Sequence, residues 1–348
     1  MEMRGATVRV LQVGLGMWGR GWADLIRGYA NVELAAVVDS SSEALAWAAR
    51  ELDIEAGACY SSLRQATAGV DCDAVLIVTP PETHRALAGI ALGAGKHVLV
   101  EKPLATTLED AHEIVELGRR AELSIVVGQN YRFTPAARAI KRLMMDGSLG
   151  AVVSVRIESR QDTRTVFGTG NFRYHMRHPY LQDMAIHHFD LIRAVTGADA
   201  RRVFARSWRV PGSPYAHHPA MAAIITLANG AEVAYSGDWA AIGSMTSWSG
   251  RWDVIAERGR VEWSGGAHES DPERVLVQEW GEPVRALELP PPLIDARLEI
   301  LRQFHASVEH GEVPETRAED NLGSLAMVLA CMRSIEGGSV VELPPSMS

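Results

Sequence analysis

Cysteine is scarce in this chain, and its distribution excludes two common ways of stabilising a protein. The 348 residues contain three cysteines, Cys59, Cys72 and Cys331, which lie far apart in sequence. A disulfide framework or a zinc site needs more cysteines at closer spacing. A chain of this length can bury a full core without such cross-links. The sequence therefore predicts a globular protein that holds no metal.

Long hydrophobic runs and clusters of positive charge are also lacking. No apolar segment approaches the roughly 20 residues that span a bilayer, and residues 1–5 lead into a short strand without a signal-peptide core. The net charge is −9, and neither half carries a dense run of lysine and arginine. These features argue against membrane and nucleic-acid partners. We expect a cytoplasmic protein.

Strand and helix patterns alternate in the first third of the chain. Short apolar runs at residues 8–13, 34–38, 74–78, 97–100 and 124–128 are separated by helical patterns. This arrangement is typical of a parallel sheet covered on both faces. Near Gly150 the pattern changes to closely spaced alternating strands, which favour an antiparallel sheet, interrupted by a helix over 181–195. The length and the change of pattern predict an α/β protein of two domains.

A glycine-rich loop with the pattern G-x-G-x-x-G spans residues 14–19, after the first strand and before a helix. Gly14 permits a tight turn, Gly16 lets the backbone approach a pyrophosphate, and Gly19 allows close helix–strand packing. Asp39 ends the second strand, where a carboxylate accepts hydrogen bonds from the adenosine ribose. Because Ser40 rather than arginine follows, a 2′-phosphate would meet an unneutralised carboxylate, so we expect NAD to be preferred to NADP. A glycine-rich turn without a ligand is the alternative.

Lys102 stands where a buried strand ends, within Glu101-Lys102-Pro103. Open α/β sheets bind their ligands at such strand ends, so this ammonium group can touch a bound molecule without being buried alone. A strand that simply stops at a charged turn is the alternative. The chain must reverse between Lys102 and the helix that Thr107 caps, and we therefore predict a cis peptide bond between Lys102 and Pro103.

Asp183 and His187 are four residues apart in the predicted helix over 181–195 and therefore share one face, with Asp190 a turn further on. Histidine titrates near neutrality and suits proton transfer to or from an alcohol, and a carboxylate one turn away can orient the ring or bind substrate hydroxyls. His188 is turned about 100° round the helix, where it packs or binds substrate. Taken alone, Asp183 and His187 also fit an ordinary surface pair.

Several segments resemble, in order and spacing, successive signatures of the glucose–fructose oxidoreductase / inositol dehydrogenase family (Gfo/Idh/MocA). They are the glycine loop, Val78-Thr79-Pro80-Pro81-Glu82-Thr83-His84, Gly95-Lys96-His97-Val98-Leu99-Val100-Glu101-Lys102-Pro103-Leu104, Gln129-Asn130-Tyr131-Arg132-Phe133-Thr134-Pro135 and Asp183-Met184-Ala185-Ile186-His187-His188-Phe189-Asp190. Two features depart from the family pattern. Ala185 stands where glycine is usual, and the bulky His178 and Tyr180 lie where the family often has glycines, which would reshape the pocket.

The resemblance implies a Rossmann domain over residues 1–128, with a C-terminal helix at about 318–335 packing back near it. It implies a substrate-binding and oligomerisation domain with an open-faced, mostly antiparallel sheet over 129–348. The implied reaction is NAD(P)-dependent hydride transfer between nicotinamide and a secondary alcohol or ketone of a sugar, cyclitol or related polyol. The implied catalytic residues are Lys102, Asp183 and His187, with His187 as the acid/base.

The resemblance and the residue patterns together imply two sets of binding residues. The cofactor set is Gly14, Gly16, Met17, Trp18, Gly19, Asp39, Ser40, Thr79, Pro80, Pro81, His84, Glu101 and Lys102. The substrate set is Lys102, Tyr131, Arg132, His178, Tyr180, Asp183, His187 and His188.

One face of the antiparallel sheet has few helices to cover it. Trp208, Trp239, Trp252 and Trp263 lie in or beside its strands, and large aromatic residues are enriched at interfaces. We therefore expect a homodimer or homotetramer formed through this sheet. The alternative is that these tryptophans fill the core.

Two other functions compete with a polyol dehydrogenase. One is a non-catalytic ligand sensor on the same fold, against which the joint presence of Lys102, Asp183 and His187 argues. The other is a reductase of a different unsaturated group, such as an enone or a tetrapyrrole, which has less need of an alcohol-directed lysine and histidine.

Overall fold

The structure, a computed structural model, describes residues 7–52, 54–265, 272–291 and 295–344. The first five residues, on which the expectation of no signal peptide rests, lie outside these ranges. The chain divides into two units. The first comprises the chain up to Asn130 together with a later segment that ends at Leu322, and the second comprises the chain from Tyr131 up to that segment and again from Gly323.

The first unit is built on a parallel sheet. Its strands are β1 (Val8–Val13), β2 (Val32–Val38), β3 (Cys59–Tyr60), β4 (Ala74–Ile77), β5 (His97–Val100) and β6 (Ile125–Val127). The helices between them are α1 (Met17–Arg27), α2 (Ser42–Glu51), α3 (Leu63–Gly69), α4 (His84–Gly93) and α5 (Leu108–Ala121).

The order of this sheet, taken over the described residues, is β3-β2-β1-β4-β5-β6, and neighbouring strands pair in parallel. This is the Rossmann order, whose ligand site lies beyond the carboxyl ends of the strands at the reversal beside β1. Strands β1, β4 and β5 are buried almost throughout because helices cover both faces. The predicted doubly wound sheet is confirmed.

The second unit carries a larger sheet. Its strands are β7 (Val152–Arg160), β8 (Ala200–Trp208), β9 (Ala220–Leu227), β10 (Glu232–Asp238), β11 (Arg251–Ala256), β12 (Gly259–Ser264), β13 (Arg274–Glu279) and β14 (Arg285–Ala286). The helices α6 (Pro135–Met145) and α7 (Ile186–Thr196) belong to the same unit.

The last elements of the chain belong to both units. Helix α8 (Arg297–His310) lies in the first unit, and α9 (Ala318–Gly337) begins there and continues into the second. Strand β15 (Val341–Glu342) joins the edge of the larger sheet beside β8. Within the described ranges that sheet has the order β14-β13-β12-β11-β7-β10-β9-β8-β15. Only β7 and β10 pair in parallel there, so the mostly antiparallel sheet is confirmed.

One side of the larger sheet packs against α7, and the core of the second unit lies between them. Ile186, Phe189 and Ile192 of α7 are fully buried, as the helical pattern predicts. On the sheet, the rings of Trp252 and Trp263 stack with centroids 5.4 Å apart in this core. This packing fixes the helix that carries His187.

The helix predicted over residues 181–195 is not a single α-helix. Residues Leu181–Ala185 form a π-helical turn, and α7 follows from Ile186. A π turn inserts extra backbone per turn, so side chains after it are rotated relative to those before it. Asp183 and His187 lie on opposite sides of this joint, so the simple four-residue spacing does not describe their geometry. Gly197, which has a φ of 65°, is the C-cap of α7.

No helix in the described part of the chain combines the length and apolar character that crossing a bilayer requires.

Candidate active site

The glycine loop after β1 is closed by contacts that leave no room for side chains at two of its glycines. Gly14 has a φ of 96°, and a Cβ there would lie 2.1 Å from the carbonyl oxygen of Val78. A Cβ on Gly19 would lie 2.2 Å from the carbonyl oxygen of Gly14. The buried amide of Gln12 donates from Nε2 to the carbonyl oxygens of Gly14 and Gly19, at 3.0 and 2.7 Å. The turn predicted from the glycines is therefore present and braced.

Gly16 differs from the other two glycines because it faces open space. A Cβ built there meets no atom within 4 Å, and Gly16 caps the N-terminus of α1 without a side-chain hydrogen bond. The next residues, Met17 and Trp18, are exposed. An open backbone at a helix N-terminus suits the pyrophosphate of a dinucleotide, because the first N–H groups of the helix point outward. The residues present thus fit a nicotinamide dinucleotide.

Asp39 follows β2, and its carboxylate is fixed beside this loop. Its Oδ2 accepts a hydrogen bond from the backbone N–H of Leu15 at 2.7 Å, and its Oδ1 accepts one from Ser41 at 2.8 Å. Ser40 is exposed. The structure therefore places a negative charge, without an adjacent cation in sequence, where a ribose of the cofactor is expected.

Glu101 links the glycine loop to the strand end that carries Lys102. The indole N–H groups of Trp18 and Trp22 both donate to its Oε1, at 2.6 and 2.7 Å. Its Oε2 accepts the backbone N–H of Lys102 at 3.1 Å. The guanidinium of Arg297 stacks over the rings of Trp18 and Trp22, 4.5 and 5.2 Å from their centroids. Glu101 is buried, so the structure gives it a bracing role behind Lys102.

Lys102 is half-buried at the end of β5, as predicted. The Lys102–Pro103 peptide bond is cis, which confirms that prediction.

His84 is fully buried and braces two loops at strand ends. Its Nδ1 lies 2.9 Å from the carbonyl oxygen of Pro103, and its Nε2 lies 2.9 Å from that of Thr79. Burial lowers the pKa of His84. Thr79 is partly buried, and Pro80 and Pro81 lead into the turn before α4. His84 thus holds the loops after β4 and β5 together and has little surface to offer a cofactor.

In the second unit, Asp183 and His187 each have an ordered neighbour. Asp183 accepts a hydrogen bond from Nε of Arg173 at 2.5 Å, and the Arg173 guanidinium stacks over Phe167 and Phe172. The ring of His187 stacks on Tyr131, with centroids 4.3 Å apart and planes inclined by 20°. Stacking restricts rotation of the imidazole, as an acid/base needs. Tyr131, a predicted substrate residue, therefore lies beside the candidate catalytic histidine.

Arg132, predicted to border the substrate, is buried in an ion pair. Its Nε and Nη2 donate to the two carboxylate oxygens of Asp190, at 2.5 and 2.7 Å. Asp190 also accepts the hydroxyl of Ser324 at 2.8 Å. This bidentate ion pair connects the turn that contains Tyr131 to α7. The contacts favour a supporting role for Arg132 over direct substrate contact.

His188 and Tyr180 also belong to a buried hydrogen-bonded chain. Nε2 of His188 donates to the carbonyl oxygen of Trp248 at 2.9 Å, because a carbonyl can only accept. Its Nδ1 is then the acceptor for the hydroxyl of Tyr235 at 2.8 Å, and that hydroxyl also lies 2.8 Å from the hydroxyl of Tyr180. Of the two roles foreseen for His188, burial favours packing. A Cβ on Gly237 would lie 1.9 Å from the Tyr180 ring, so Tyr180 fills the core instead of reshaping a pocket.

We expect His188 to make the stability of the protein depend on pH. Burial lowers the pKa of His188 to about 4, because the charged ring would lose its hydration. In the unfolded chain His188 binds a proton near pH 6.5. The stabilisation that neutral His188 gives the folded protein is therefore complete above pH 6.5 and is lost as the pH falls toward 4. The expected loss is about 3 kcal/mol by pH 4. Urea unfolding from pH 7 to pH 4 should show it.

The control is His188→Gln, measured over the same pH range. Burial also lowers the pKa of other histidines, including His84 and His97, so the parent and the variant must be compared. The variant should have a flatter pH dependence, and equal slopes in the two proteins would contradict the assignment.

Three supporting residues have no signal in the sequence. They are Trp22 in α1, Arg173 in a short turn and Tyr235 in β10. All three act through partners far away in the chain, Glu101, Asp183 and His188. No local pattern carries that information. In the described ranges there is no group of three or more side chains that could hold a metal ion.

Comparison with known proteins defines the class. The profile of the oxidoreductase family with an NAD-binding Rossmann fold matches residues 8–129, and that of the GFO/IDH/MocA C-terminal domain matches residues 137–262. The protein is thus an oxidoreductase with an NAD-binding Rossmann domain. It belongs to the Gfo/Idh/MocA family, as the sequence resemblance predicted.

Several relatives match nearly the whole chain. A D-apiose dehydrogenase from Paraburkholderia graminis is 27% identical, over 95% of this chain and 88% of that protein. A myo-inositol 2-dehydrogenase from Thermotoga maritima is 26% identical, over 97% of this chain and 98% of that protein. The crystal structure of an oxidoreductase from Agrobacterium radiobacter, in complex with NAD+, L-tartaric acid and magnesium, superposes with a TM-score of 0.88. It is 21% identical and covers 97% of this chain and 98% of that chain, which supports the fold.

Proposed function

We propose that this protein transfers a hydride between NAD and a secondary alcohol or ketone of a sugar, cyclitol or related polyol. The observation that carries the proposal is that Lys102, Asp183 and His187 are each held by a neighbouring side chain. The Glu101 carboxylate accepts the backbone N–H of Lys102, the Arg173 guanidinium donates to Asp183, and the Tyr131 ring stacks on His187. The names of the relatives agree with this substrate class. We assign cofactor binding to the domain predicted over 1–128 and substrate binding to that over 129–348.

Each proposed catalytic residue has a distinct role. The nicotinamide, when bound, accepts or supplies the hydride. His187 takes the hydroxyl proton during oxidation and returns it during reduction. The Lys102 ammonium hydrogen-bonds the same oxygen and stabilises its developing negative charge. Asp183, held by Arg173, orients the substrate or the histidine.

A substrate screen tests this function. Purified protein is mixed with sugars, cyclitols and their ketones, including myo-inositol and D-apiose, in the presence of NAD(H) or NADP(H). The change in nicotinamide absorbance is then followed. We expect turnover with at least one polyol. Cofactor binding without turnover of any polyol would support the ligand-sensor alternative. Reduction of enones alone would support the alternative of a reductase that acts on a different unsaturated group. The cytoplasmic location expected from the sequence stays a prediction.

We predict that NAD is preferred to NADP. The carboxylate of Asp39 is fixed beside the glycine loop, and the exposed Ser40 offers no positive charge to a 2′-phosphate. The double variant Asp39→Ser/Ser40→Arg should shift the ratio of kcat/KM values toward NADP. Ser41→Ala, which keeps the Asp39 charge, is the control. A lower KM for NADP than for NAD in the parent would show that the charge argument is wrong.

We further propose that two copies of the chain associate through the outer face of the larger sheet. Phe204, Ile224 and Ala234 are cross-strand neighbours on β8, β9 and β10 and line a groove of ≈ 690 Å³ on this face. Ile224 is 53% exposed and Phe204 38%. Neighbouring exposed apolar side chains on a sheet are typical of an interface.

The tryptophans give this proposal less support than the sequence suggested. Trp239, Trp252 and Trp263 are buried in the core, and only Trp208 of the four predicted residues is exposed. The adjacent apolar side chains of Phe204, Ile224 and Ala234 therefore carry the argument.

We expect sedimentation at micromolar concentration to show a dimer or a tetramer. Ile224→Arg should shift the protein toward monomer, because it places an unpaired charge in the apolar face. Ile242→Arg is the control, since Ile242 is exposed in a loop outside the groove. A strictly monomeric parent would contradict this proposal.

A further inference from the structure

His178 has a backbone conformation that histidine rarely adopts. Its φ is 48°, in the left-handed region, and it directly precedes Pro179. A Cβ is unfavourable there, and a residue before proline is normally extended. Glycine would occupy this position without steric strain. The chain thus carries histidine at a position where the backbone conformation favours glycine.

The imidazole of His178 is buried and lacks hydrogen bonds. The residue is 9% exposed, and neither ring nitrogen has a hydrogen-bond partner among the described residues. The nearest acidic group is Glu336, whose Oε1 lies 3.9 Å from Nε2 of His178, beyond hydrogen-bond distance. That carboxylate already accepts from Arg177 at 2.9 Å. Buried polar groups are nearly always paired, so an unpaired donor and acceptor in one ring need an explanation.

The surroundings of His178 keep its ring neutral. Burial is the main cause of its lowered pKa, and electrostatic interactions with Arg177, His218 and His217 act in the same direction, whereas Glu336 opposes them. A neutral imidazole has one N–H donor and one nitrogen acceptor. A hydroxyl group both donates and accepts, so neighbouring hydroxyl groups of a polyol complement this ring.

His178 is also connected through its backbone to the segment that carries Asp183. Its carbonyl oxygen accepts the backbone N–H of Gln182, in the π-helical turn that carries Asp183. Arg173, which holds Asp183, lies in the segment that leads into His178. The backbone of His178 is therefore joined directly to the π-helical turn that bears Asp183 and precedes the helix of His187.

We propose that His178 is a specificity-determining residue whose neutral imidazole binds neighbouring hydroxyl groups of the polyol, an inference that rests on the proposed function. The hydroxyls would supply the missing partners of both ring nitrogens. Backbone strain and unpaired buried groups occur together at ligand-binding positions because a ligand compensates for both.

The variant His178→Gly tests this inference. It removes the strained conformation and the unpaired nitrogens, so its Tm should be equal to or above the parental value. The KM for the preferred polyol should rise about tenfold or more, with the KM for NAD unchanged. His178→Asn should keep part of the affinity, because asparagine tolerates this conformation and retains a donor and an acceptor.

The matched control is Glu122→Gly. Glu122 also has a positive φ, 56°, and is an exposed C-cap of α5 in the first unit. Glu122→Gly should relieve strain in the same way without changing the KM for the polyol. Parental KM values in His178→Gly would overturn the inference, as would a His178→Asn variant no better than His178→Gly.

A binding measurement separates this inference from the proposed function. Calorimetric titration of myo-inositol, D-apiose and the rest of the polyol panel into the NAD-loaded protein needs no turnover. If the parent turns over no polyol, the proposed function fails. The inference on His178 holds if the parent binds a polyol at least tenfold more tightly than His178→Gly. It fails if the two proteins bind all the polyols alike or bind none.

Discussion

Replacing Lys102 with alanine is expected to lower kcat by about two orders of magnitude or more, and replacing His187 with alanine is expected to do the same. Lys102 lies at the carboxyl end of β5, with its backbone N–H held by the Glu101 carboxylate. His187 lies near the start of α7 with its ring stacked on Tyr131. Both variants leave the glycine loop and Asp39 in place, so the KM for NAD should stay close to the parental value although Lys102 is in the predicted cofactor set. Steady-state kinetics with the polyol identified in the screen measures both constants.

The controls are matched residues of the same kind in the first unit. Lys96 stands just before β5, at its opposite end, and donates from Nζ to the carbonyl oxygen of Cys72. His112 is exposed on α5. Lys96→Ala and His112→Ala should both retain parental kcat. Near-normal turnover in Lys102→Ala or His187→Ala would reject the role assigned to that residue.

Removing either partner of the buried pair between Arg132 and Asp190 is expected to lower the free energy of unfolding by about 3–5 kcal/mol. Both side chains are almost completely buried, and two hydrogen bonds join them. Asp190→Ala leaves a buried guanidinium without its carboxylate, and Arg132→Ala leaves the carboxylate without its cation. Denaturant unfolding, followed by a spectroscopic signal that arises from the second unit, measures the decrease in the free energy of unfolding.

An exposed ion pair provides the comparison. Arg119 and Glu116 on α5 lie 2.8 Å apart in solvent, and Arg119→Ala should leave the free energy of unfolding almost unchanged. The double variant Arg132→Met/Asp190→Leu should recover much of the loss, because two apolar side chains leave no unpaired charge. If Asp190→Ala costs no more than Arg119→Ala, the pair does not hold the Tyr131 turn to α7.

The sequence by itself determined most of the first unit. The apolar runs that became β1, β4, β5 and β6, the glycine loop and Asp39 were all readable, because each is a local pattern with one physical meaning. A continuous apolar run must be buried on both faces, and a glycine between strand and helix marks a tight turn. The Thr107 cap of α5 is of the same kind, since its side chain accepts from the N–H of Asp110 three residues away. Strand β3, which is two residues long, offered no such pattern.

The tertiary structure alone decided which candidate residues are buried in contacts with distant partners. Arg132, His188 and Tyr180 all looked like substrate residues by their position in a motif. Their partners, Asp190 and Tyr235, lie tens of residues away in the chain. The π-helical turn before α7 and the burial of three of the four tryptophans were also decided by packing. The physical reason is that local periodicity reports which side of an element is buried, whereas the partner of a buried polar group depends on which distant strand or helix packs against it.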